Sequence, residues 1–296
     1  MSAPWLMVVA SLLFALMGAC VKLAAARYGA GEIVLYRGLV GAAIIAFYAR
    51  ARGGSLRTAV PLQHAGRSLT GVVALCMWFY AVGKLPLATA MTLNYTSSVW
   101  MALLMLGAAA LFGRDRVEPR LLLSVALGFA GVALILRPTI EQNQLSDGLV
   151  GLLSGMISAT AYLQVTALGR AGEPDYRIVF YFSLGSMVAG IVLGLGVGWH
   201  AHSLVGIALL FAVGLLGTVA QLMMTRAYSI GRPLVNASLQ YLGIAYSFIL
   251  GVLLFDDHVT ALAIVGMLLI VASGIGAIRL RSRAAAVAVS PQEVSP

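Results

Sequence analysis

Residues 32–39 read Glu32-Ile33-Val34-Leu35-Tyr36-Arg37-Gly38-Leu39, and residues 177–184 read Arg177-Ile178-Val179-Phe180-Tyr181-Phe182-Ser183-Leu184. The shared pattern Ile-Val-x-Tyr-x-x-Leu recurs at an offset of 145. Further along, Pro86-Leu87-Ala88-Thr89-Ala90 returns as Pro233-Leu234-Val235-Asn236-Ala237 at an offset of 147, and Phe112 and Gly131 return as Phe255 and Gly274 at 143. Each match is weak alone. In order and at nearly constant spacing, they describe a duplicated unit. The drop in offset gives the first copy about one extra helical turn in its fourth segment.

Composition says what the unit is made of. Of 296 residues, 61% are hydrophobic and 10% are Asp, Glu, Lys or Arg, against about 25% charged in a soluble domain. So few charges cannot coat a soluble globule, which excludes an ordinary cytosolic enzyme, a disordered chain and a nucleic-acid binder. Ten apolar stretches of roughly spanning length follow: 4–26, 31–49, 65–83, 87–112, 119–137, 148–169, 177–199, 203–225, 233–255 and 260–278. Each copy holds five, and an odd number turns the second copy over in the membrane. The expected fold is therefore an all-α membrane protein of ten transmembrane helices, two inverted five-helix repeats around a central cavity. The repeats run over 1–140 and 141–283, and 284–296 forms a disordered cytoplasmic tail. Inverted repeats are the architecture of secondary transporters, with substrate held near the midplane.

The basic residues orient the chain. With a cytoplasmic N-terminus, Arg50, Arg52, Arg57, Arg67, Arg114, Arg116, Arg120, Arg170, Arg177, Arg226, Arg232, Arg279, Arg281 and Arg283 fall on the cytoplasmic side; only Arg27, Lys84 and Arg137 fall opposite. Lys22 and Arg37 fall inside spans. The positive-inside rule is met, and both termini are expected in the cytoplasm of a bacterial-type inner membrane. No Lys or Arg precedes the first apolar run, so that run reads as a retained helix rather than a cleaved leader. Cys20 and Cys76 read as small packed hydrophobes.

Five plus five helices, Tyr80-Ala81 before the Pro86 link, Gly131 and Gly274 in the fifth and tenth helices, and Lys22 and Arg37 in the first two resemble the drug/metabolite transporter superfamily, EamA type. The nearest likeness is to the YddG-type exporters of aromatic amino acids. Where that family often carries Glu after helices 4 and 9, this chain has Arg114 and Asp257. The resemblance implies an inner-membrane transporter whose cavity is lined by helices 1, 3, 4, 6, 8 and 9.

Polar and aromatic side chains at membrane depth are the candidate substrate contacts: Trp78, Tyr80, Asn94, Tyr95, Ser98, Trp100, Tyr162, Gln221, Gln240 and Tyr241, with Lys22 as a cation for a carboxylate. Each has a plainer reading. The amides can be interhelical hydrogen-bond glue, the aromatics packing, and Lys22 a snorkelling side chain. Pro86 and Pro233, at matching entries to helices 4 and 9, are candidate gating hinges or simple packing elements. Every Asp, Glu and His falls in a link, a helix end or the tail, so transport without proton coupling is expected; a proton-coupled multidrug or metabolite exporter is the alternative. An intramembrane enzyme would need a catalytic constellation at depth, and none occurs; Asp256-Asp257-His258 reads as a solvated turn. The expectation is therefore a carrier, not an enzyme, exporting or equilibrating amino acids, aromatic and other neutral ones, and related metabolites or drugs by alternating access. Its partners are the small-molecule substrate and the lipid bilayer, with no nucleic acid, no cofactor and no metal. It is expected to be a monomer or weak dimer.

Overall fold

Pro4 and Pro61 start the first and third helices at positions where the missing N–H costs nothing, and Ser203 caps another by accepting from the Gly206 N–H. The computed structural model describes residues 2–111 and 144–257, with isolated positions within 127–134 and most of 260–272. Among the described residues all regular structure is helical: α1 (Ala3–Ala25), α2 (Ala30–Ala51), α3 (Pro61–Lys84), α4 (Leu87–Tyr95), α5 (Ser97–Leu111), α6 (Leu145–Arg170), α7 (Asp175–Val197), α8 (Leu204–Ile230), α9 (Pro233–Leu239) and α10 (Leu242–Phe255). Among the described residues, seven stretches are long and apolar enough to cross a membrane: α1, α2, α3, α6, α7 up to Gly196, α8 and Val235–Phe255. The chain is a multi-pass membrane protein. Most of the expected span 119–137, the end of the expected span 260–278 beyond residue 272, and the whole tail lie outside the described residues.

Three helix pairs dominate the packing: α2 with α7, α1 with α8, and α3 with α6. Small residues set their closeness, since apolar side chains gain little by leaving lipid for a neighbouring helix. At the α2–α7 crossing a Cβ on Gly38 would lie 2.5 Å from the Met187 backbone nitrogen, and one on Gly190 would strike the Leu35 backbone. On α6, a Cβ on Gly155 would meet the Leu93 carbonyl and the Thr96 hydroxyl at 2.6 Å each. The Gly151-x-x-x-Gly155 face therefore receives the end of α4.

That end is where the structure departs from two continuous spans. The expected helix 87–112 is interrupted at Thr96, whose hydroxyl donates to the Leu93 carbonyl at 2.6 Å, a side-chain bond that competes with the helical ladder and bends it. The expected helix 233–255 is interrupted at Gln240 and Tyr241, where Gly243 N–H bonds Gln240 O and Ile244 N–H bonds Tyr241 O in the tighter three-residue pattern. The breaks meet. The Tyr95 ring occupies the space before Gly243, and Ser98 Oγ donates to the Ala237 carbonyl at 2.8 Å.

The two ends of the bundle are each tied by polar clusters. At the end carrying the N-terminus, Glu173 accepts from Thr58 (3.0 Å), His64 (3.0 Å) and Arg177 (3.0 Å), while Arg177 also donates to the Ser55 carbonyl. Asp175 accepts from Ser229 and Arg226 nearby. At the other end, Lys22 pairs with Asp257 at 2.9 Å and donates to the Leu85 carbonyl, while Asp257 also accepts the Leu87 N–H. Glu32 there accepts from Gly29 N–H and from the backbone and ring of His200.

Candidate functional site

The polar core of the bundle is a small cavity of about 50 Å³. Its walls come from α1 (Phe14), α2 (Arg37), α3 (Arg67, Trp78 and neighbours), α4 (Asn94, Tyr95), α6 (Ser158, Tyr162), α7 (Phe182) and α8 (Gln221, Met224). Such a volume holds a few waters. It is too small for an amino-acid-sized molecule as it stands.

Of the sequence candidates, Trp78, Asn94, Tyr95, Tyr162 and Gln221 share this cavity. Asn94 Nδ2 donates to Ser154 Oγ (3.0 Å) and Ser158 Oγ (3.4 Å), one turn apart on α6. The Trp78 indole N–H, the Tyr95 hydroxyl and the Gln221 amide nitrogen are buried without a hydrogen-bond partner. The others lie elsewhere. Tyr80 is 41% exposed and donates to Asp147 at the outer rim of the bundle. Ser98 and Gln240 serve as glue, to the Ala237 carbonyl and the Met224 sulfur. Tyr241 is buried and borders an apolar groove that Leu242, Ile244 and Phe248 also line. Trp100 packs half-buried against the core. Lys22 is committed to Asp257 and stacks on Phe255, far from the cavity walls. Pro86 precedes α4 and Pro233 opens α9.

Two expectations about the lining are corrected. Helices 2 and 7 contribute through Arg37 and Phe182, whereas the ninth span contributes no lining residue among those described. Arg67, assigned to the surface by its charge, is inside. Helix α3 begins at Pro61 rather than near residue 65, which carries Arg67 well into the bundle, where it is 2% exposed.

Arg37 is also 2% exposed. The guanidinium carbons of Arg37 and Arg67 lie 4.6 Å and 4.5 Å from the centroid of the same ring, Phe182. Glycines make the space: the Arg67 guanidinium occupies the position a Cβ on Gly71 would need, and Arg37 lies 3.4 Å from that of Gly217. Arg37 reaches Ser186 Oγ and Gln221 Oε1 only at 3.5 and 3.4 Å. Arg37 Nε and Arg67 Nε and Nη1 have no acceptor. Among the described residues, no carboxylate pairs with either. No group of His, Cys, Asp and Glu suited to a metal occurs among them either.

At the Glu173 cluster, burial alone would raise the carboxyl pKa. Hydrogen bonds from His64, Arg177 and Thr58, with the Arg177 charge, outweigh that and hold it below the usual carboxylate value. A recess of about 610 Å³ opens beside it, lined by Asp175, Tyr176, Arg226 and Ser229.

Comparison with known proteins places this architecture. The model of the EamA-like transporter family matches residues 1–137. The chain is 33% identical over 281 residues to the pseudopaline exporter of Pseudomonas aeruginosa, covering 93% of this chain and 95% of that protein. It is 25% identical to an uncharacterized transporter of Helicobacter pylori, over 91% and 92% of the two chains. A solved crystal structure superposes with a TM-score of 0.69 at 18% identity, over 95% of this chain and 98% of the other, a likeness of fold. These relatives show the family and not the finer likeness to aromatic amino-acid exporters.

Proposed function

From the premise that the chain belongs to the EamA-like transporter family, we propose that it is an inner-membrane carrier exporting small organic metabolites, amino-acid-like compounds among them, by alternating access. The observation that carries this is the central cavity, walled by helices of both halves of the chain and lying between two polar clusters, one at each end of the bundle.

Ten spans in two inverted repeats, 1–140 and 141–283, are part of the proposal. Its support lies in the packing. If α1, α2 and α3 correspond to α6, α7 and α8, the pair α1–α8 maps onto α6–α3, and α2–α7 onto itself; these are the dominant contacts. The broken helices also correspond, with interruptions at Thr96 and at Gln240–Tyr241, and broken helices at matched positions mark transporter substrate sites. Pro86 and Pro233 at their entries are proposed hinges. Among the sequence candidates, Trp78, Asn94, Tyr95, Tyr162 and Gln221 are the proposed substrate contacts. The clusters around Lys22–Asp257 and His64–Glu173–Arg177 are the proposed outer and inner closures, with both termini cytoplasmic.

Coupling to protons is not part of the proposal, since the carboxylates and histidines described sit at helix ends or in links. In proteoliposomes, uptake is expected to saturate with substrate, to show counterflow, and not to become concentrative under a pH gradient alone. Unsaturable flux without counterflow would identify a channel and remove the carrier reading. Accumulation driven by a pH gradient would restore the proton-coupled alternative.

A further inference from the structure

We propose that Arg37 and Arg67 form a receptor for an anionic, carboxylate-bearing substrate, and that this substrate is the counter-charge the cavity lacks. The inference rests on the carrier reading above and names the substrate class of the same cavity.

Two guanidiniums at 2% exposure share one phenyl ring and face one small cavity. Desolvating one such charge is costly, and placing two together adds repulsion. Buried cations are ordinarily met by carboxylates, yet neither has one among the described residues, and three of their nitrogens lack any acceptor. The Phe182 face stabilises cations only partly. Contacts at 3.4 and 3.5 Å from Arg37 to Gln221 and Ser186 are too long to compensate a full charge. The vacant arrangement is therefore costly, and an acceptor of negative charge in the cavity both guanidiniums line would relieve it. A carboxylate matches planar, paired N–H donors better than a spherical ion does. Two positive charges fit a dianion best. The unpartnered Trp78 N–H, Tyr95 hydroxyl and Gln221 amide add donors of the kind that fix a ligand's orientation. The ligand enters as the cavity opens beyond its present volume.

The test uses a series of equal size and stepped charge: glutarate, its monoamide and glutaramide, with ionic strength matched by chloride. Thermal unfolding of the purified protein in neutral detergent should rise with glutarate, less with the monoamide and not with glutaramide. Binding should weaken about tenfold or more in Arg37→Gln and in Arg67→Gln, while each variant alone unfolds no earlier than wild type, because a like-charge contact is gone. Should a Gln variant fail to fold, Arg67→Lys keeps the charge but loses the fork, and intermediate binding is expected. No charge dependence, an equal response to chloride, or glutarate stabilisation that persists in both Gln variants would overturn the assignment. Glutarate binding without transport would instead sink the carrier reading and leave the site. Saturable transport of a neutral compound with no glutarate binding would do the reverse.

Discussion

Glu173 shows how much a single side chain can hold together. It lies in the turn between α6 and α7 and gathers Thr58 before α3, His64 on α3 and Arg177 on α7. Its carboxyl is held below its ordinary pKa of about 4.3. A group whose folded pKa is depressed stabilises the fold fully above the unfolded value, and loses that contribution as pH falls through the folded one. The gap in unfolding temperature between wild type and Glu173→Gln is therefore expected to be full at neutral pH and to close as pH falls below about 4. A gap that widens with acid would show the opposite shift. The residue scale is also where sequence reading was least sufficient. Trp78, Asn94, Tyr95, Tyr162 and Gln221 were legible as polar or aromatic groups in apolar surroundings, and they do meet around one cavity. Arg67 was not legible, because an arginine six residues after a proline helix start looks like any surface anchor. The one available signal was Gly71 one turn later, which makes room for it. Lys22 was read as a cation for a substrate carboxylate or as a snorkelling side chain, since its partner Asp257 is 235 residues away.

Helices gave their own signals at the level of the element. Length, hydropathy and Pro or Gly punctuation located α1, α2, α6 and α7 to within about three residues, while α8 runs on to Ile230, past its expected end at 225. The breaks in the fourth and ninth spans were invisible, because Thr96 and Gln240 are ordinary helix residues by composition; what interrupts the ladder is a hydroxyl back-bond and a tightened turn. The α4 break is received by Gly155. Enlarging that glycine pushes on the Leu93 carbonyl and the Thr96 hydroxyl rather than on a yielding side-chain tip. Gly155→Leu is expected to cost about 1–3 kcal/mol or displace α4, read as an earlier unfolding temperature with loss of transport. Among the described residues nothing lies within 4 Å of a Cβ on Gly107, and Gly107→Ala is the control expected to change neither. An unchanged Gly155→Leu protein would mean that α4 does not depend on this contact.

For the whole molecule, orientation is the property the sequence argued most strongly and the bundle itself leaves to experiment. Contacts join the N-terminal end of α1, the α2–α3 link, the α6–α7 turn and the α8–α9 turn on one face; the Lys22–Asp257 and Glu32–His200 ties lie on the other. In a variant lacking Cys20 and Cys76, Arg52→Cys on the first face should resist a membrane-impermeant maleimide in intact cells, and Ala201→Cys on the second should react. Labelling in the reverse pattern would invert the topology. Removing Arg67 from the surface tally leaves that expectation standing, because the remaining arginines on its side still far outnumber those opposite.

Arg37 and Arg67 both come from the first half of the chain, and the residue matching Arg37 in the second half is Phe182. On the carrier and dianion readings proposed above, the centre is electrically lopsided. Occupied by a dianion, the centre is close to neutral and indifferent to voltage. Vacant, it carries two positive charges through whatever part of the field the rearrangement sweeps, and each charge crossing the full field is worth about 2.3 kcal/mol per 100 mV. An interior-negative membrane would thus act on the empty return stroke alone, drawing the vacant carrier toward the inward-facing posture in which it can load for export.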